Sequence, residues 1–214
     1  MNGTGETSGR LWFTADHHFG HTGIIRHCGR PCANVEEMNE TLIANWNRVV
    51  GPKDTVYHLG DLFLSPSGEA RKIRVRLNGN ICLLRGNHDR SAESLQGAFG
   101  WVKDYDELKA ADVDAPDGRQ HLVLCHYAFR VWNRARHGAW HLQGHSHDTL
   151  PEIAGQLCFD VGVDCHDFTP IGYDEVKRKM RERSKAQDSG RADRDGRSRY
   201  EPGIIKTTNE EIGL

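Results

Sequence analysis

The sequence predicts an α/β domain in which two β-sheets pack together, with helices on the outside. Short apolar segments alternate with helical patterns in the first half of the chain. Hairpin-linked strands without long helices between them follow in the second half, and Asp, Asn and His recur where predicted strands end. The 214 residues are enough for one well-packed domain of this kind.

The first half contains three predicted strands, two longer predicted helices and a short predicted helix at 91–99. Apolar residues at helical spacing predict a helix over 35–50, with Asn34 as its N-cap. A second helix is expected to begin near Pro66, because proline is tolerated in the first turn. The strands are predicted at 11–15, 55–59 and 81–85.

The second half predicts a hairpin at Asp117-Gly118, followed by strands at 139–143 and 157–163. The segments that flank this domain are polar. We expect a disordered lead-in, one domain and a charged, disordered tail with few apolar residues. Their predicted bounds are 1–9, 10–183 and 184–214.

Composition excludes several classes of protein. The 28 basic and 30 acidic residues give a net charge of −2, which is not typical of a general polyanion binder, although nucleic acid stays possible as a partner. No apolar segment is long enough to span a membrane, so no membrane partner is expected. The first ten residues lack the pattern of a secretory signal, and the six cysteines are expected to be reduced thiols. We therefore predict a cytoplasmic protein. The sequence does not indicate an oligomeric state.

Side chains that can bind metal follow five predicted strands. The segments read DHH, GD, GNHD, H and GHSH along the chain. Because side chains beyond the carboxyl ends of strands converge on one crevice, we expect a single site there. Asp16 and His18 are two apart, and extended backbone would point both the same way. The seven predicted ligands are Asp16, His18, Asp61, Asn87, His126, His145 and His147.

Seven donors exceed what one tetrahedral ion binds. A mixed nitrogen and oxygen set without thiolate suits two divalent transition-metal ions, with manganese favoured and iron or zinc as alternatives. Two such ions sharing a bridging carboxylate suit hydrolysis at phosphorus. His88 lies next to a ligand without being needed as one, and is the candidate proton donor for the leaving oxygen.

The ordered set of motifs from about residue 11 to 172 resembles the calcineurin-like metallophosphoesterase superfamily, and within it the small, uncapped prokaryotic phosphoesterases. The resemblance implies a four-layer α-β-β-α sandwich with two mixed β-sheets and a dinuclear site at the sheet ends. It implies that Asp61 bridges the two ions and that His88 lies beside the substrate phosphate. It assigns Asp16, His18 and His147 to one ion, and Asn87, His126 and His145 to the other.

Departures from the family pattern narrow the function. The segment after Asp61 lacks the second Asp-Arg pair of protein phosphatases, and His88 stands where lipid A pathway hydrolases tend to have Arg. We expect a phosphoesterase in which a metal-bridging hydroxide attacks a phosphodiester or a phosphomonoester, with the diester favoured. The substrate is expected to be a small phosphate ester or a nucleotide. The alternatives are a nuclease or nucleotide phosphatase with the same centre and, more remotely, a non-catalytic metal-binding scaffold.

Four further residues are candidates for substrate binding. Arg85 can pair with a phosphate oxygen or form a salt bridge at a strand end. Arg130 and Trp132 can bind a nucleotide by charge and stacking, unless Trp132 packs inside the fold. His21 is expected to border the pocket.

Other polar residues near the motifs are expected to support the ligands. Asp160 and Asp164 are candidates to hydrogen-bond the histidine ligands, and His17 should point away from His18. Asp89 can orient His88 or serve the turn that contains it.

Overall fold

The computed structural model describes residues 9–95, 97–151, 153 and 155–192. This part of the chain forms nine strands, four α-helices and three short 3-10 turns. The strands are β1 Leu11–Thr14, β2 Thr55–His58, β3 Asn80–Leu84, β4 Trp101–Lys103, β5 Tyr105–Ala111, β6 Arg119–Cys125, β7 Trp140–Gln143, β8 Cys158–Asp160 and β9 Ile171–Gly172. The helices are α1 Thr22–His27, α2 Val35–Val49, α3 Ser67–Arg74 and α4 Tyr173–Ala192.

The strands form two mixed sheets, as the sequence predicts. The first sheet has the order β4-β3-β2-β1-β9, and β9 alone runs antiparallel to its neighbour. The second has the order β5-β6-β7-β8, in which β5 and β6 are antiparallel and the other pairs parallel. This architecture confirms the predicted α/β fold class.

Strand register places the predicted metal-binding motifs at the same end of the sheets. Thr14 is paired with His58, and His58 with Leu83, so β1, β2 and β3 end at nearly the same level. In the second sheet Leu124 is paired with Leu142, which brings the ends of β6 and β7 level with each other. The segments that follow these five strands therefore start at the same edges of the two sheets.

The core has an inner layer between the sheets and an outer layer under the helices. Phe13 and Leu84 of the first sheet share the inner layer with Leu122 and Leu142 of the second. The outer layer lies under α2, where Asn34 caps the helix by accepting a 2.8 Å hydrogen bond from the Glu37 backbone N–H. Residues 129–139, with one 3-10 turn, cover the outer face of the second sheet.

The end of the domain differs from the sequence prediction. Helix α4 continues through residues 184–192, which the sequence assigns to a disordered tail. Helical side-chain pairs such as Arg178 with Glu182 support a helix even though few of its residues are apolar. The rest of the predicted tail, 193–214, and residues 1–8 of the lead-in lie outside the described residues. No helix in the described part of the chain has the length and apolar character needed to cross a bilayer.

Candidate metal centre

The structure brings all seven predicted ligands together at the strand ends. Their donor atoms form two groups, and within each group the atoms lie within 4.8 Å of one another. Asn87 joins the second group, because its Oδ1 lies 3.1 Å from Nε2 of His126. One group consists of Asp16, His18 and His147, and the other of Asp61, His126 and His145.

The Asp61 carboxylate lies between the two groups. Its Oδ2 is 3.5 Å from Nε2 of His18 and 3.5 Å from Nε2 of His126. Its Oδ1 accepts a hydrogen bond from the His88 backbone N–H, at 2.9 Å. One carboxylate oxygen is therefore equally close to a histidine of each group, while the other is held by the protein.

Hydrogen bonds orient two of the histidine ligands. Nδ1 of His126 donates to the Leu59 carbonyl at 2.8 Å, and Nδ1 of His147 donates to Asp164 Oδ2 at 2.7 Å. In both rings this assigns the proton to Nδ1. The lone pair of the unprotonated Nε2 can then bind a metal ion. The predicted support by Asp164 is thus present in the structure. Asp160 instead accepts from the Ser146 hydroxyl.

Two atoms of the predicted ligands have no hydrogen-bond partner within the described part of the chain. Oδ1 of Asp16 and Nε2 of His18 are both fully buried. Each such unsatisfied polar atom costs about 1–3 kcal/mol, and a cation between them would satisfy both. Burial lowers the pKa of His18 to about 2, so the ring is neutral and its nitrogen can bind metal. Burial and the nearby Asp160 carboxylate raise the pKa of Asp16, a cost that bound positive charge would offset. The residues present therefore fit a metal centre.

Five of the seven ligands have left-handed backbone, which few non-glycine residues adopt. The expectation that Asp16 and His18 converge through extended backbone is therefore wrong, although both do reach the same group. The chain turns sharply instead, and the Asp16 N–H and His18 N–H donate to the carbonyls of Gly60 and Asp61. The φ angles are 59° for Asp16, 52° for His18, 56° for Asp61, 71° for His145 and 46° for His147.

The sharp turn also sends the side chain of His17 away from the ligands, as expected. Nδ1 of His17 lies 2.9 Å from Nε2 of His58, and its ring packs against Trp46. Both histidines are buried, and burial lowers the pKa of each, so the two rings are neutral parts of the core.

Glycines that precede the ligand motifs leave room for the carboxylates. A Cβ atom on Gly86 would lie 2.1 Å from Asp61 Oδ1, and one on Gly144 would lie 2.6 Å from Asp16 Oδ2. Gly60 has a φ of +98°, a conformation that other residues rarely adopt. The three glycines therefore let separate loops approach closely around the centre.

Asp89 holds two of these loops together. Its carboxylate accepts hydrogen bonds from the backbone N–H groups of Asp61 at 2.6 Å, Leu62 at 2.9 Å and Gly86 at 2.9 Å. Of the two roles considered for Asp89, the structure therefore shows the loop role.

An open cleft of about 580 Å³ gives access to the centre. His88 lies at this cleft, and one of its ring nitrogens is within 4.8 Å of donor atoms of His18 and Asp61. His21 lies there as well, with its Nδ1 3.3 Å from Nδ1 of His18. Both residues therefore lie at the cleft beside the first group of predicted ligands.

Comparison with known protein families identifies the family of this chain. A model of the calcineurin-like phosphoesterase family matches residues 9–166, which include all seven ligands and His88. The chain belongs to this family. Calcineurin-like phosphoesterases are metal-dependent in general, and the superfamily that the motifs indicate is thereby confirmed.

Similar proteins carry no assigned activity in their names. The uncharacterized protein MJ1445 of Methanocaldococcus jannaschii is 36% identical over 174 residues, covering 78% of this chain and 89% of the relative. The gene 66 protein of Mycobacterium phage L5 is 30% identical, covering 65% and 78% of the two chains. The gene 66 protein of Mycobacterium phage D29 is 29% identical, covering 79% and 95%.

A solved structure shares the fold. The protein of unknown function AQ665 from Aquifex aeolicus aligns with a TM-score of 0.63 and 24% identity. The alignment covers 79% of this chain and 98% of the other. At this identity the likeness concerns the fold alone.

Two basic residues line the metal cleft of this calcineurin-like phosphoesterase although the sequence does not indicate them as candidates. Arg26 and His27 of α1 are exposed and line the cleft. Arg26 has no hydrogen bond or ion pair to any residue that the structure describes. Helix α1 is too short for a periodic pattern and has no side-chain N-cap, so the sequence contains no clear signal for its position.

Three predicted substrate-binding residues lie elsewhere. Arg85 forms a bidentate salt bridge with Asp104, with two contacts of 2.7 Å, which is the second of the roles considered for it. Trp132 is only 8% exposed, and its indole N–H donates to the Ala139 carbonyl at 2.9 Å. It packs inside the fold and offers no open face for stacking. Arg130 lines a second cavity and not the metal cleft.

Cys28 lies unexpectedly near the first group of ligands. Its Sγ is within 4.8 Å of donor atoms of His147 and Asp164. In the metal-free chain, burial raises the pKa of the Cys28 thiol to about 11. Cys28 therefore lies beside the first group as a neutral thiol when no cation is bound.

Proposed function

We propose that this protein is a dinuclear metallophosphodiesterase that prefers manganese, with iron and zinc as alternative ions. The observation that carries the proposal is the position of Asp61, whose Oδ2 is 3.5 Å from a histidine of each ligand group. Two divalent cations bound there supply the Lewis acidity that activates water and offsets charge on the phosphoryl oxygens. The absence of a thiolate from the two main groups supports manganese.

His88 is the proposed proton donor. It lies at the cleft beside His18 and Asp61, within reach of an ester whose phosphate is bound at the centre. The hydrogen bond from its backbone N–H to Asp61 Oδ1 fixes its position relative to the bridging carboxylate. From there its ring can protonate the leaving oxygen as the ester bond breaks.

The shape of the cleft supports a diester substrate. The cleft is open, and two of the residues that line it, Asn87 and His145, are exposed. A substituent on each side of the phosphorus can therefore be accommodated, as a diester requires. Arg26 adds positive charge at the rim, where it attracts an anionic substrate.

The alternatives have less support. A nuclease or nucleotide phosphatase that stacks its base on Trp132 is disfavoured, because that ring is buried. A non-catalytic scaffold is expected to have lost ligands or His88, whereas all eight positions are filled here.

The test is hydrolysis of bis-p-nitrophenyl phosphate by metal-stripped protein reloaded with Mn²⁺. We expect about two ions per chain and faster turnover of the diester than of p-nitrophenyl phosphate. His88→Ala should lower kcat about 100-fold or more with metal content unchanged. Asp61→Ala should lose both metal and activity. Asp117→Ala and His137→Ala are the matched controls, since both residues lie outside the cleft. Undiminished turnover in Asp61→Ala or His88→Ala would overturn the mechanism, and a faster monoester would overturn the substrate preference.

We also propose that the protein is cytoplasmic. All six cysteines are free thiols in the structure, which is typical of proteins from a reducing compartment. Fractionation of the source cells tests this location, and recovery of the protein from the medium or the periplasm would contradict it.

A further inference from the structure

An exposed tyrosine lies against the second group of predicted ligands. Tyr127 directly follows His126 and is 44% exposed. The centre of its ring lies 5.0 Å from that of His126 and 4.9 Å from that of His145, and both pairs of rings are edge-to-face. Because His145 lines the metal cleft, Tyr127 borders the cleft on the side of the second group.

Part of the Tyr127 side chain is open for a further contact. Its hydroxyl forms no hydrogen bond to any residue that the structure describes. By contrast, the hydroxyl of Tyr105, another exposed tyrosine, donates to Glu107 at 2.6 Å. An open aromatic ring buries a large apolar area when a ligand covers it, and stacking with a second ring adds further stability. The open part of Tyr127 is therefore suited to a planar, apolar group.

The segment that carries Tyr127 is held in place by the neighbouring strand. The buried ring of His141 in β7 donates from Nδ1 to the Val123 carbonyl at 3.0 Å, and its Nε2 accepts from the Phe129 backbone N–H at 3.0 Å. The Phe129 ring stacks on the same imidazole, with ring centres 4.9 Å apart. Because this segment is fixed before a ligand arrives, contact with the Tyr127 ring costs little ordering of the loop.

His88 lies on the other side of the Asp61 carboxylate. Its ring centre is 5.2 Å from that of His18, a member of the first group. Asp61 Oδ2 is 3.5 Å from a histidine of each group and so lies between the two sides. The site therefore has the proposed proton donor on the side of the first group and an open aromatic ring on the side of the second.

We infer that Tyr127 binds the ester group that the substrate retains, and that it favours diesters in which this group is aromatic. A diester at the centre has two ester groups. The leaving oxygen takes its proton from His88, and the other ester group lies against the Tyr127 ring. The inference rests on the proposed phosphodiesterase function and adds a specificity-determining residue to it.

The test compares two diesters with the same leaving group. Phenyl p-nitrophenyl phosphate and methyl p-nitrophenyl phosphate both release p-nitrophenol, so they differ only in the group that stays on phosphorus. In Tyr127→Ala we expect KM for the phenyl diester to rise about threefold to tenfold with little change in kcat, because stacking is lost. KM for the methyl diester should change less than about twofold. Tyr127→Phe keeps the ring and should behave like the wild type; a loss as large as in Tyr127→Ala would contradict stacking.

Tyr105→Ala is the matched control. Tyr105 is exposed to a similar extent, at 40%, but its ring lies against Phe129 and not against a predicted ligand. Both KM values should therefore equal those of the wild type. Circular dichroism and measurement of bound Mn²⁺ check the fold and the metal content of each variant. Loss of metal from folded Tyr127→Ala, or an equal loss of kcat with both diesters, would show that Tyr127 only supports His126 and His145, and would overturn the inference.

Calorimetry provides a readout that does not depend on turnover. Phenyl phosphate, the product that retains the aromatic group, should bind the Mn²⁺-loaded protein more tightly than methyl phosphate, and Tyr127→Ala should remove most of this difference. Equal increases of KM for the two diesters, or an unchanged preference for phenyl phosphate in Tyr127→Ala, would overturn the inference alone. If the wild type hydrolyses neither diester, the proposed function fails and the inference fails with it.

Discussion

Asp164 Oδ2 accepts a 2.7 Å hydrogen bond from Nδ1 of His147. Arg30 donates two hydrogen bonds of 2.8 Å to the same carboxylate, from Nε to Oδ1 and from Nη2 to Oδ2. Arg30 also donates to the carbonyls of Asp16 and His17. Through Arg30, Asp164 thus connects His147 to the loop that carries Asp16 and His18, the other two predicted ligands of the same group.

Replacing Asp164 by Asn should weaken metal binding. Burial raises the pKa of Asp164, but the hydrogen bonds from His147 and Arg30 outweigh this effect, and the net pKa lies below its usual value. The native side chain is therefore charged and strengthens His147 as a ligand. We expect Mn²⁺ affinity to fall about 10- to 100-fold in Asp164→Asn, measured by calorimetry on metal-stripped protein.

The matched control is Asp167→Asn. Asp167 is exposed, and its φ of +49° suits Asn as well as Asp. Its Mn²⁺ affinity should equal that of the wild type. Equal affinities in all three proteins would show that Asp164 does not tune the centre.

Gly86 and Gly68 should respond in opposite directions to alanine. A Cβ on Gly86 would lie 2.1 Å from Asp61 Oδ1 and 2.6 Å from the Asp61 backbone nitrogen, so the loop must shift. We expect Gly86→Ala to lower the free energy of unfolding by about 1–3 kcal/mol and to reduce metal binding. Gly68 lies in α3 with open space around it, and Gly68→Ala should raise stability by about 0.5 kcal/mol. Urea unfolding measures both, and a Gly86→Ala protein as stable as the wild type would refute the steric argument.

Arg26 should contribute to substrate binding more than to the chemical step. Its exposed guanidinium lies at the rim of the metal cleft, with no carboxylate partner in the described chain. In Arg26→Ala we expect KM for bis-p-nitrophenyl phosphate to rise about threefold to fivefold, with little change in kcat. Added salt should reduce the difference in KM between Arg26→Ala and the wild type, because salt screens exposed charges.

Lys53→Ala provides the comparison for Arg26→Ala. Lys53 is exposed before the amino end of β2, at the opposite edge of the sheet from the metal centre. Lys53→Ala removes one positive charge, as Arg26→Ala does, but leaves the cleft unchanged, so KM should equal that of the wild type. A similar rise of KM in both variants would indicate an effect of net charge alone.

The Asp112–Lys177 pair should stabilise the protein over a defined pH range. Burial alone would raise the pKa of Asp112, but hydrogen bonds from Lys177 and Tyr173 hold the pKa below its usual value. The hydrogen bond to Asp112 raises the pKa of Lys177. The Asp112 contribution is therefore present above about pH 4 and is lost as pH falls through the lower, folded pKa. The Lys177 contribution is present below about pH 10 and is lost as pH rises through the higher, folded pKa.

Thermal unfolding of Asp112→Asn at several pH values checks this pair. Between about pH 5 and 9 the variant should be less stable than the wild type by about 1–2 kcal/mol, and the difference should shrink below about pH 4. Glu40→Gln is the control, because the Glu40–Arg76 pair is exposed and should matter far less. A stability difference that is independent of pH would point to packing as the cause.

The sequence predicts which residues meet at the candidate centre better than it predicts their backbone geometry. Strand ends, glycines and residue types indicate Asp16, Asp61 and His147, because converging strand ends leave few alternatives for such side chains. The left-handed backbone at these residues follows from hydrogen bonds between separate loops, such as the one from the Asp16 N–H to the Gly60 carbonyl. Such contacts between loops distant in sequence have no local pattern.

The environment of individual side chains is also beyond what sequence patterns determine. Trp132 and Arg130 are two apart in a basic, aromatic segment, yet one packs into the core and the other lines a second cavity. Arg26 lines the metal cleft from α1, which contacts α2, a helix that follows it in the chain. In each case tertiary packing selects the role, and local composition leaves several roles open.

The left-handed backbone conformation of five predicted ligand residues has a thermodynamic consequence. Sparsely populated backbone conformations cost about 1 kcal/mol or more each, and five such residues together approach the lower end of a typical domain stability. Ions that bind these ligands in the folded chain and not in the unfolded chain offset that cost by mass action. Folding and metal loading should therefore be thermodynamically linked. A chelator is then expected to act as a denaturant as well as an inhibitor, and the melting temperature should depend on the concentration of free Mn²⁺.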